Sequence, residues 1–138
     1  MDHSRPVVLI ESDALGAMTV RRAFEKAGRS HSLVHCADVV GAFTYLRRAK
    51  PETPSLLLLG IDSLNGETSA LMNLLKTDPA LNDIPIVVLA EAGHSRHIHE
   101  CLRQGANDYL IKPPDYDLLG KEISRFLARW NARSIAAA

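Results

Sequence analysis

Leu56-Leu57-Leu58-Leu59-Gly60 is an unbroken apolar run that stops on glycine, set between Pro54 and a polar turn from Asp62 to Gly66. Consecutive large apolar residues leave no face for water, so the run suits a strand covered on both sides. The same signature recurs at Val7 to Ile10, Ile86 to Leu89 and Tyr109 to Ile111, and His31 to Cys36 reads as a shorter strand. Helical spacing fills the intervals. Ala17, Val20, Phe24 and Ala27 predict a helix from Ala14 that Gly28 ends, and Val39, Val40, Phe43 and Leu46 predict one from an Asp38 N-cap to Arg48. Leu71, Met72, Leu74 and Leu75 mark a third helix, and Ser95 to Gln104, closed by Gly105, a fourth. The fifth starts near Asp115 and carries Leu118, Leu119, Ile123, Phe126, Leu127 and Trp130. Strict alternation of strand and helix implies an α/β fold, a five-stranded parallel sheet with helices on both faces.

A chain of 138 residues is long enough for one domain with its own core and too short for a two-domain enzyme. The core is expected over about residues 6–131, with 132–138 as a frayed tail. At 46% hydrophobic and 23% charged the composition is that of a folded globular domain. No stretch approaches the roughly eighteen apolar residues needed to cross a bilayer, and the first residues lack a secretory signal, which predicts a cytoplasmic protein with no membrane partner. Sixteen Lys and Arg balance sixteen Asp and Glu, so nucleic-acid binding is disfavoured. Cys36 and Cys101 follow no motif spacing and are read as reduced thiols on different flanks of the sheet.

In a doubly wound sheet the chemistry lies at the carboxyl ends of the strands. Those ends carry Glu11, Ser12 and Asp13, then Gly60 and Asp62, then Ala90 and Glu91, then Lys112 and Pro113. With Val8-Leu9-Ile10-Glu11-Ser12-Asp13, Pro54 to Leu59, Asp78-Pro79 to Pro85 and Gly105-Ala106-Asn107-Asp108-Tyr109-Leu110-Ile111-Lys112-Pro113, the chain resembles the response-regulator receiver domain of two-component signalling. The resemblance runs from about Val7 to Leu127 and implies a flavodoxin-like (βα)5 fold. It also implies a chemistry in which a histidine kinase passes phosphoryl to an aspartate at the end of the third strand. Such a step needs an attacking carboxylate, a magnesium ion on acidic ligands and a lysine to stabilise developing charge.

Carried over residue by residue, the pattern is broken. The acceptor falls at Gly60, which has no nucleophile. The acidic pair falls at Glu11 and Ser12, so one charged ligand is lost and magnesium binding is expected to be weak or absent. The hydroxyl that senses phosphoryl falls at Ala90, and Glu91 beside it adds negative charge against an anionic donor. Lys112 and the switch-type aromatic Tyr109 remain, and the resemblance implies a cis bond before Pro113. Without phosphate Lys112 needs another partner, either Glu11 or Asp13. Asp13 also suits an N-cap.

The expected function is therefore that of a pseudo-receiver: a non-enzymatic protein-protein interaction module without a cofactor. Its partner would be a sensor kinase or another signalling protein, and a homodimer could form through the fourth helix, fifth strand and fifth helix. Ile98, Leu102, Phe126 and Trp130 are the candidate interface residues on that face, although Trp130 could equally cap the core. If the chain is complete, its effect is exerted in trans or by homodimerisation. The alternative is an active phosphoacceptor using Asp62 or Asp13 with magnesium, which must overcome the cost of a displaced attacking atom. His94, His97 and His99 lack the further ligands of a metal motif and are read as surface histidines.

Overall fold

The computed structural model describes residues 5–29, 32–48, 53–61, 66–91 and 95–137. Strands and helices alternate without exception: β1 Val7–Ile10, α1 Ala14–Lys26, β2 Leu33–Cys36, α2 Val39–Arg48, β3 Leu56–Ile61, α3 Gly66–Thr77, β4 Ile86–Glu91, α4 Ser95–Arg103, β5 Asp108–Lys112 and α5 Tyr116–Ala137. All strand pairs are parallel, in the order β2-β1-β3-β4-β5. This is the flavodoxin-like arrangement that the receiver resemblance implies.

The apolar runs are continuous because each alternate residue serves a different face. Val8, Ile10, Leu57, Leu59, Ile86 and Val88 join a core with residues of α2, α3 and α4. Val7, Leu9, Leu56, Leu58, Val87 and Leu89 join a second core with α1 and α5, where Val20, Phe24, Ile123 and Leu127 lie.

Local chemistry sets the helix ends. Asp13 Oδ1 accepts from Leu15 N at 3.2 Å, and Asp38 Oδ1 accepts from Gly41 N at 2.7 Å, so both act as N-caps. After α1, Gly28 takes φ +72 while Arg29 N returns to Phe24 O at 2.8 Å, a left-handed close that favours glycine.

Several expectations are corrected. β3 runs on through Gly60 to Ile61 and β4 through Glu91, because Gly60 pairs with Leu89 and Ile61 with Ala90. Gly60 is thus a strand residue. The α5 range runs to Ala137. Cys36 and Cys101 are both buried in the α2-α3-α4 core, not on different flanks. Burial pushes both thiols up, which keeps them as unreactive S–H groups.

The expected interface residues also move. Ile98 and Phe126 are buried in the two cores because α4 and α5 turn these positions toward the sheet. Leu102 and Trp130 are half-buried and pack against the same cores, with the Trp130 ring 5.8 Å from Phe126. The exposed apolar and aromatic residues of this region are Tyr109, Ile111, Tyr116 and Leu118. β5 is an edge strand, so alternate residues of its apolar run face outward. No helix among the described residues is long and apolar enough to cross a membrane.

Phe24 is fully buried beneath α1. Phe24→Ala is expected to lower unfolding free energy by about 3–5 kcal/mol, read as a reduced urea midpoint with an unchanged m-value.

Candidate functional site

The sheet register assembles the site. Ile10 pairs with Leu59, which sets Glu11 and Gly60 side by side one residue further along, and Glu91 pairs with Lys112 on the other half of the sheet. Glu11 Oε1 accepts from Lys112 Nζ at 2.8 Å, with side-chain exposures of 2% for Glu11 and 9% for Lys112. The second carboxylate oxygen of Glu11 accepts from Asp13 N at 3.3 Å. The Glu11 backbone is held as well, its N–H donating to Cys36 O at 3.1 Å and its carbonyl lying 2.9 Å from His35 Nε2.

Gly60 makes this arrangement possible. A Cβ there would lie 2.9 Å from Glu11 Oε1, 2.9 Å from Ile10 O and 3.0 Å from Glu11 Cδ. The Glu11 carboxylate fills the space into which a side chain at position 60 would project.

Asp13 is fully engaged. While Oδ1 caps α1, Oδ2 accepts from the Tyr116 hydroxyl at 2.9 Å, a bond that ties the start of α5 to the start of α1. That bond is the largest cause holding the Tyr116 phenol above its ordinary range, with Asp13, Glu11 and Glu91 adding negative charge around it. Ala90 is fully buried and offers no hydroxyl, whereas Glu91 is exposed at the rim. Asp13, Glu91, Lys112, Pro113, Pro114, Tyr116 and neighbouring residues line a cleft of about 320 Å³. Among the described residues, no three His, Cys, Asp or Glu side chains gather as a metal-holding group.

No protein-family model matches the chain. It is 27% identical over 131 residues to the probable methanogenesis regulatory protein FilR2 of Methanothrix harundinacea, covering 91% of this chain and 84% of that protein. It is 26% identical over 107 residues to the two-component response regulator-like APRR5 of Arabidopsis thaliana, covering 78% of this chain and 19% of APRR5. The phosphorylated cyanobacterial phytochrome response regulator RcpA superposes with a TM-score of 0.82 at 22% identity, covering 94% of this chain and 95% of RcpA. The fold is that of a response-regulator receiver domain.

On this receiver fold the structure brings Glu11, Asp13, Gly60, Ala90, Glu91 and Lys112 to one sheet edge, with Ser12 exposed in the β1-α1 turn. Of the two partners open to Lys112, Glu11 is the one bonded. Asp62 and His94 lie outside the described residues. Tyr109 is exposed on β5. Tyr116 is the residue that sequence reasoning missed. Its position four residues after Lys112, beside an N-terminal aspartate that needs a donor, is the available signal.

The Glu11–Lys112 pair has a testable energetic signature. Removing one partner strands a buried charge, so Lys112→Ala is expected to destabilise by about 3–5 kcal/mol in urea titration. The double variant Glu11→Leu/Lys112→Met is expected to recover most of that loss, since an apolar pair of similar volume avoids the desolvation cost.

Tyr116 gives a pH test. The folded state favours the neutral phenol, so the bond's contribution is complete below the unfolded tyrosine value of about 10 and vanishes as pH rises through the higher folded value. A spectrophotometric titration is expected to show a late-ionising tyrosine that Tyr116→Phe removes and Asp13→Asn shifts downward.

Proposed function

We propose that this chain is a pseudo-receiver, a cytoplasmic signalling module that accepts no phosphoryl group and works by binding protein partners. The observation that carries this reading is the Glu11 carboxylate packed over Gly60 and bonded to Lys112. Phosphoryl transfer to a carboxylate needs a nucleophile in line, a cation on the phosphoryl oxygens and a free positive side chain. Here the acceptor position is glycine, and its space and its lysine are both taken by Glu11.

A resident divalent cation does not fit the donors. A hard cation asks for several oxygen ligands with free lone pairs. The Lys112 ammonium sits against Glu11 and would repel a second cation there, and among the described residues no three His, Cys, Asp or Glu side chains gather to supply such ligands. We infer weak or no magnesium binding and no enzymatic activity. RcpA was crystallised phosphorylated; Gly60 of this chain offers no carboxylate to accept a phosphoryl group.

The partner in this reading is a sensor kinase or another signalling protein. The α4-β5-α5 side also suits a homodimer, since it exposes Tyr109, Ile111 and Leu118 around a shallow groove bordered by Pro113 and Glu122.

Intact mass after incubation with magnesium and acetyl phosphate, beside an ordinary receiver, is the direct test. The expected result is an unchanged mass while the control gains phosphoryl, and a stable gain of one phosphoryl would overturn the reading. Gly60→Asp alone is expected to stay unlabelled and to lose stability, because Glu11 and Ile10 O occupy the space its side chain needs. Efficient labelling of that single variant would show that Glu11 yields readily.

A further inference from the structure

The chain is neutral overall, yet its cations are not evenly spread. α1 and α5 lie side by side over one face of the sheet, and a groove of about 520 Å³ runs between them. Its rim carries Arg22 and Lys26 from α1 and Lys121 and Arg125 from α5. Asp117 is the acidic residue of its lining, and Arg125 is held by Glu122 at 2.8 Å on its outer side. Arg22, Lys26 and Lys121 form no ion pair among the described residues.

Between the charges the groove is lined mostly by small side chains, with Tyr116 also contributing. Thr19, Ala23, Gly120 and Ser124 lie along it, and a Cβ at Gly120 would stand 3.7 Å from Thr19 Cγ2, so the two helices approach closely there. The cations are one helical turn apart on each side, Arg22 to Lys26 and Lys121 to Arg125, a rise of about 6 Å. Carboxylates spaced four residues apart on a third helix have the same rise. Like charges left this close without partners repel, and an acidic helix would relieve that repulsion while its backbone approached the small-residue floor.

We propose that the α1-α5 groove is a docking surface for an acidic helix of a protein partner, with glutamates or aspartates at i, i+4 spacing. The proposal rests on the reading of the domain as a protein-binding module and names the chemistry of the partner. Nucleic acid is the poorer occupant. The basic strip is confined to one groove, and the neighbouring cleft presents Asp13 and Glu91, which a phosphate backbone would meet as like charge.

The test uses the full chain and a fluorescein-labelled alanine-rich helical peptide with glutamates at i, i+4, followed by anisotropy. Comparison probes are the same peptide with glutamine for glutamate and a single-stranded oligonucleotide of equal charge. The glutamate peptide is expected to bind and the glutamine peptide not to bind. Affinity should fall as salt rises and the screening length drops from about 10 Å at 0.1 M toward about 3 Å at 1 M.

Lys26→Glu/Lys121→Glu is expected to weaken peptide binding at least about tenfold. Arg47→Glu/Arg48→Glu, an equal charge change on α2 across the sheet, should leave it within about twofold. Circular dichroism of both variants checks that the fold is kept. Equal loss in both variants, no loss in either, no binding of the glutamate peptide, or tighter binding of the oligonucleotide would each overturn the proposal. Phosphorylation of the chain by acetyl phosphate would overturn the pseudo-receiver reading alone and leave the groove result standing.

Discussion

A carboxylate and an ammonium withdrawn from water persist only if each satisfies the other, and the Glu11–Lys112 pair meets that condition at the ends of β1 and β5. The pair spans the sheet, since β3 and β4 separate those strands. Glu11 is fastened on every side: to Lys112 and Asp13 through its carboxylate, and to the β2 residues Cys36 and His35 through its backbone. The result is a polar knot joining β1, β2, β5 and the start of α1.

The parallel sheet was legible because strands covered on both faces need continuous apolar runs, and Leu56 to Leu59 or Ile86 to Leu89 have no other economical use. Tyr109 to Ile111 shows the limit of that rule. The run has the same look, but β5 lies at the sheet edge, so Tyr109 and Ile111 are exposed. Strand order is a tertiary property that local composition does not encode. Helical spacing likewise identified apolar faces on α4 and α5 without showing how far the sheet reaches beneath them, and Ile98 and Phe126 proved to be core.

The site was legible as a set of residues and less so as a geometry. The sequence places glycine at position 60, but the filling of the space beside it by Glu11 depends on strand register. Lys112 had two candidate partners by sequence. The structure decides between them: Glu11 Oε1 lies 2.8 Å from Lys112 Nζ, while the Asp13 oxygens accept from Leu15 N and the Tyr116 hydroxyl.

The crowding at Gly60 also bears on the history open to this sequence. A longer side chain at position 60 meets Glu11 and the Ile10 carbonyl, whereas shortening Glu11 first draws its carboxylate away from Lys112. Either single change disturbs the contact between the two positions. Such reciprocal dependence makes positions 11 and 60 one coupled unit rather than two independent sites.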